Sequence, residues 1–172
     1  MKRVLVAALL ASLMMAPAMA AGTVVEQARL YLQGGKGVPA DPPRAFALFQ
    51  RAATAGDATA AYYLGLMYRN GVAVARDPET AARWLQQAAD HQVPAAMLAL
   101  ANLYLAGDGV ERDSDAARRL IEKAADLDYP DAVMAMAIGL RDGSMGFERN
   151  EALAEAQLRL ANRALGQRPR AK

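Results

Sequence analysis

The chain repeats itself about every 36 residues, and that period constrains its architecture more than any single residue does. Tyr68-Arg69-Asn70-Gly71 returns as Tyr104-Leu105-Ala106-Gly107, and the same offset relates Gly65 to Ala101, Asp77 to Asp113, Ala81 to Ala117, Trp84 to Leu120 and Ala88-Ala89 to Ala124-Ala125. A weaker copy upstream carries Ala28, Tyr31 and Gly34 at an offset of 37, then Asp41, Ala45 and Ala52-Ala53 at 36. A downstream copy carries Ala132, Met136, Ala137, Leu140 and Gly143, then, after one inserted residue, Asn150, Ala154 and Ala161. Both irregular spacings fall between paired glycines, at Gly34–Gly37 and Gly143–Gly146, where a loop tolerates an extra residue. A unit this small cannot bury its own apolar face, so the copies must stack on one another.

Each copy reads as helix A, a glycine-containing loop and helix B. Pro94 and Pro130 suit the first turn of a helix A, where a missing N–H costs nothing. Ala60, Leu64, Met67 and Tyr68 then share one helical face. Gly71, Gly107 and Gly143 fall where a left-handed cap is needed. Asp41, Asp77, Asp113 and Asn150 suit the N-cap of each helix B, with Pro42 and Pro78 at the next position. Ala81, Trp84, Leu85, Ala88 and Ala89 form the apolar stripe of a helix B. Small residues at 65, 101 and 137, and at 81 and 117, let paired backbones approach closely. Alanine-rich filling with few β-branched residues points to packed helices, not sheets.

The pattern Ala-x3-Leu-Gly-x-Met-Tyr-x2-Gly over Ala60–Gly71, followed by Val-x2-Asp-x3-Ala-x2-Trp-x3-Ala-Ala over Val74–Ala89, resembles the Sel-one-like repeat (SLR), a relative of the tetratricopeptide repeat. The resemblance implies an all-α fold, a short right-handed α-solenoid of about four antiparallel helix pairs. The repeats would lie at about 22–56, 57–92, 93–128 and 129–166. It is close in the second and third copies and degraded in the first and fourth, where Gln157 stands at the Trp84 position and Asn162 at the Ala89 position, as a solvent-facing last copy allows. The family implies a non-catalytic adaptor binding a protein or peptide partner on its concave side. A cysteine-rich exported subgroup has been linked to penicillin binding, but this chain has no cysteine, and that property does not carry over.

Residues 1–20 read as a secretory signal peptide. Lys2 and Arg3 precede an apolar run from Val4 to Met15, which is too short to span a membrane, and Ala18-Met19-Ala20 supplies a cleavage site after Ala20. The expected location is periplasmic or secreted, with no stable membrane anchor after cleavage. Without Lys2 and Arg3 the chain carries 18 bases and 18 acids. Five bases and no acid lie from Arg159 onward, so an acidic body precedes a basic tail, which is the wrong distribution for binding nucleic acid. The tail at 167–172 is expected to be disordered, with Pro169 blocking a helix.

Catalytic residues are few. His91 is the only histidine and suits a helix C-terminus, with no convergent ligands for a metal. Outside the leader the serines are Ser114 and Ser144, neither in S-x-x-K nor in G-x-S-x-G, so a penicillin-binding or hydrolase mechanism finds no nucleophile. Asp108, Glu111, Asp113 and Asp115 make an acidic loop without the glycine and glutamate positions of an EF-hand. The methionines at 67, 97, 134, 136 and 145 read as core filling. The expectation is a scaffold with no cofactor, no metal and no enzymatic activity. A regulatory subunit of an envelope signalling system and a cell-wall enzyme are the alternatives.

The positions left for function lie on helix A off the core stripe. Tyr62, Leu98 and Met134 are equivalent, as are Leu66, Asn102 and Ile138, and Arg69, Leu105 and Arg141. Spaced at i, i+4 and i+7, they form one ridge across adjacent repeats, apolar along its length and edged by arginines suited to carboxylates.

Overall fold

The computed structural model describes residues 24–35 and 37–166, with side chains described as far as 162. The expected signal peptide at 1–20 and tail at 167–172 lie outside the described residues. Eight helices follow one another: α1 (24–33), α2 (Pro42–Thr54), α3 (Ala58–Asn70), α4 (Pro78–Asp90), α5 (Pro94–Ala106), α6 (Ser114–Asp126), α7 (Pro130–Asp142) and α8 (Glu151–Gly166). Odd helices are the A members and even helices the B members. From α2 onward each helix packs on the next, which makes an all-α solenoid of helix pairs.

The punctuation in the sequence sets these boundaries. Gly71, Gly107 and Gly143 close their helices at φ 68°, 68° and 65°, each donating its N–H to the carbonyl four residues back. Every B helix opens on a side-chain cap. Asp41 accepts from the Arg44 N–H at 3.0 Å, Asp77 from Thr80 at 3.0 Å, Asp113 from Ala116 at 2.8 Å and Asn150 from Leu153 at 3.0 Å. The backbone N–H of each cap residue also reaches back to its own helix A, donating to the carbonyls of Tyr31, Tyr68, Tyr104 and Leu140 respectively, at 2.7–3.1 Å. One periodic hydrogen bond thus closes the two helices of each pair against each other.

The core forms where A and B stripes meet. Phe49, Leu64, Leu85, Leu100 and Ile121 are essentially inaccessible, each contributing about 1.5–3 kcal/mol by burial. Gly65 allows a close approach within a pair, since a Cβ there would lie 2.7 Å from Leu85 Cγ and 3.2 Å from the Ala81 carbonyl oxygen. Helix α5, sandwiched between neighbours, carries no charged side chain, whereas α4 and α6 are amphipathic with one face in solvent. No polar or charged side chain among the described residues is buried.

Trp84 of the α4 stripe is partly buried and packs against the core. One expectation is corrected. Of the five methionines, only Met67 and Met97 are core residues. Met134, Met136 and Met145 are partly exposed, the first two on α7 and the third in the loop after it.

Candidate partner-binding ridge

Helices α3, α5 and α7 present the nine ridge positions in three rows. None of the nine is buried: Asn102, Ile138 and Arg141 are exposed, and Tyr62, Leu66, Arg69, Leu98, Leu105 and Met134 are intermediate. Tyr62, Leu66, Leu98 and Leu105 rest their inner atoms on the core. The row is therefore a partly seated apolar surface, with its buried counterparts, among them Leu64, Leu100 and Leu140, on other faces of the same helices.

The rows lie on three successive A helices. Burial lifts the Tyr62 phenol above the ordinary tyrosine value, and Tyr63 adds to the rise. The Arg69 guanidinium opposes it, and the Asp131 carboxylate, two pairs further along the chain, reinforces it. Helices α5 and α7 touch directly.

Three contributors escaped the sequence reading. Tyr63 stacks on Phe49 with ring centroids 4.9 Å apart and planes at 15°, and lies 5.2 Å from the Tyr62 ring. Arg29 of α1 places its guanidinium carbon 5.8 Å from the Tyr63 ring centre while pairing with Glu26 at 3.0 Å. Asp131 is the third. A single-repeat comparison does not reveal these residues, since each acts on a neighbour in another repeat. Arg29 was nevertheless traceable, standing at the Leu66 position of the first copy when the 37-residue offset is applied.

The arginines at the edge are less free than their positions suggest. Arg141 donates to both oxygens of Asp142, at 2.8 and 3.2 Å, a fork that raises the arginine and lowers the aspartate from their ordinary values. Arg69 Nε donates to the Asn70 side chain at 3.2 Å. Asn102 has no such tie and stands at the centre of the array, with both donors and its acceptor open to a ligand.

Other chemistry does not assemble. Three of the four acids of the loop are committed, with Asp108 paired to Arg76, Asp113 capping α6 and Asp115 3.9 Å from Arg118. Among the described residues no group of three or more acids, histidines or cysteines is gathered as a metal site requires. His91 is exposed at the C-cap of α4. Ser114 is the first residue of α6, and Ser144 lies exposed in the loop before α8.

The periodicity has its counterpart among known proteins. The Sel1 repeat profile matches residues 27–57, 58–93 and 94–129, more than half of the chain. The chain belongs to the Sel1 repeat family. Sel1 repeats point to a protein–protein interaction scaffold, and the fold is typically non-catalytic. The α7–α8 pair lies beyond the matched residues, yet it keeps the Gly143 and Asn150 caps of the Sel1 units before it. A Sel1 repeat protein from Oxalobacter formigenes superposes with a TM-score of 0.77 at 26% identity, over 84% of this chain and 58% of that one. A protective antigen of uropathogenic Escherichia coli strains, displaying an SLR fold, gives 0.76 at 28% identity, over 87% and 32%. Cysteine rich protein B of Helicobacter pylori shares the fold at a TM-score of 0.55 and 24% identity, over 66% and 90%. This chain thus spans less than three-fifths of the first relative and about a third of the second. No curated protein matches its sequence significantly.

Proposed function

We propose that this Sel1 repeat protein is a non-catalytic scaffold of the bacterial cell envelope that holds a peptide or partner protein along the concave, helix-A side of its stack. The observation that carries the reading is the row from Tyr62 through Leu98 and Asn102 to Ile138. It is an apolar lane, partly seated on the core, with one uncommitted amide at its centre. Such a surface suits a partner helix or extended segment that places aliphatic side chains beside Leu66, Leu98 and Met134 and a polar group at Asn102. Arg69 and Arg141 flank the lane, and an incoming carboxylate would compete with Asn70 and Asp142 for them.

Export to the periplasm or beyond is part of the proposal. It rests on the charged, apolar and Ala-x-Ala organisation of residues 1–20. No helix among the described residues is long and apolar enough to cross a membrane. Partner affinity measured after Tyr62→Ala, Asn102→Ala and Arg141→Ala tests the surface. Loss in the first two supports it, and unchanged affinity in all three retires it.

A further inference from the structure

The outer face of α8 departs from that of every B helix before it. Counted from the N-cap, the third, sixth and tenth residues are Arg44, Ala47 and Arg51 in α2 and Thr80, Arg83 and Gln87 in α4. In α6 they are Ala116, Arg119 and Lys123. The same positions in α8 hold Leu153, Ala156 and Leu160, all exposed. With the exposed Ala152 they fall at i, i+1, i+4 and i+8, an apolar stripe on the side away from the buried Ala154 and Ala161. Leu153 and Leu160 are 38% and 53% exposed, two of the four large apolar side chains left open among the described residues. A lone exposed leucine needs no explanation. Two in register on one helix, over alanines that let another backbone come close, make a seat for a second helix.

That second helix is not the A helix of one more stacked repeat. Helix α4 packs on both α3 and α5, and it buries Ala82 and Ala89 in doing so. The matching residues of α8 are Glu155 and Asn162, both exposed, so the side that a further A helix would need is polar. The charges beside the stripe point instead to another α8. Glu155 lies nearer the helix start and Arg159 nearer its end, 2.8 Å apart and both largely in solvent. Laid antiparallel, two such helices set Leu153 against the partner's Leu160 and Glu155 beside the partner's Arg159, with Ala156 near the axis between them. Laid parallel, they set Glu155 on Glu155 and Arg159 on Arg159. Charge complementarity selects the antiparallel pair, in which one patch serves both copies, as a twofold dimer requires.

We propose that two copies of this chain associate through the outer faces of their α8 helices, antiparallel about a twofold axis near Ala156. One helix against one helix is at the lower limit of interface size, so the dissociation constant is expected on the order of 10 µM. The nine ridge residues lie on α3, α5 and α7, so the contact includes none of them. The dimer therefore carries two ridges, and a partner with two binding segments gains from engaging both.

Sedimentation equilibrium of the purified chain measures the association. Every side chain substituted is exposed, so folding is not at risk, and a melting curve verifies it. Leu160→Glu is expected to weaken the dimer at least about tenfold. Glu155→Arg and Arg159→Glu are each expected to weaken it, and Glu155→Arg/Arg159→Glu together to recover most of the loss, because the swap restores opposite charges across the pair. The chain has no cysteine, so a single introduced thiol reports on one face alone. With diamide as oxidant, Ala156→Cys is expected to yield a disulfide-linked dimer and Arg83→Cys, at the matching position of α4, none. A chain still monomeric at about 0.5 mM, a dimer indifferent to Leu160→Glu, a double charge swap that recovers nothing, or equal linking in the two cysteine variants would each overturn the proposal.

Discussion

Gly109 sits directly on the first turn of α4, where a Cβ added to it would overlap the carbonyl carbon and oxygen of Pro78. Gly146 stands in the same relation to Ser114 at the start of α6. The loop of one repeat is thus clamped onto helix B of the repeat before it, and both glycines hold a left-handed φ, at 73° and 79°. The equivalent residue one repeat earlier is Ala73, also left-handed at 64° but exposed. The joint between the first two repeats lacks the glycine that lets the later ones close.

Gly109→Ala is therefore expected to destabilise the chain by about 2–4 kcal/mol, combining left-handed strain with overlap against backbone that cannot rotate away. Ala73→Gly is expected to stabilise it by about 0.5–1 kcal/mol, because relief of strain exceeds the added unfolded-state entropy. Urea denaturation of both variants measures the two signs. Equal effects would mean that the clamp is absent.

Within a pair, Gly65 and Leu85 are coupled. The next repeat places Ala101 and Ile121 at the same two positions, both fully buried. Gly65→Ala alone is expected to cost about 1–2 kcal/mol despite alanine's better helix propensity, since its Cβ would meet Leu85 at 2.7 Å. Adding Leu85→Ile should recover most of that loss. A double-mutant cycle reads the coupling, expected at 1 kcal/mol or more on the order of directly packed neighbours.

Acid should loosen the start of α4. The hydrogen bonds from Thr80 hold Asp77 below its ordinary carboxylate value, so its folded pKa is depressed. A depressed carboxylate stabilises the fold above its unfolded pKa, and that contribution is lost as pH falls below about 4 toward the folded value. Asp77→Asn should flatten stability in this window while leaving the neutral-to-basic limb unchanged. The cap of α3 offers a second test. Asp57 accepts from the Ala60 N–H at 2.8 Å, and Asp57→Ala is expected to cost about 1 kcal/mol at pH 7.

Much of this architecture was legible because repeats restate their own grammar. Caps at Asp41, Asp77, Asp113 and Asn150 and stops at Gly71, Gly107 and Gly143 are local chemistry, readable from spacing alone. The cap at Asp57 was missed because its counterparts, Val93 and Tyr129, have no capping side chain. Gln92 and Asp128, left-handed at φ 58° and 55°, were missed because only Gly56, in the first copy, marks that position with a glycine. The ridge was readable as a row, but not its electrostatics. Asp131 acts on Tyr62 from two pairs away in the chain, and Asp142 takes up Arg141 through a rotamer that no periodicity encodes.

The central claim is that the helix-A ridge, and not the opposite side, holds a protein partner. Site-specific photo-crosslinking in cells, with the reactive side chain placed at Asn102, at Ile138 and at the exposed α4 position Gln86, tests it most directly. The account predicts one and the same protein adduct from Asn102 and Ile138, none from Gln86, and at least a severalfold loss of the Ile138 adduct when Tyr62→Ala is added. Adducts from Gln86 alone, or an Ile138 adduct indifferent to Tyr62, would contradict it.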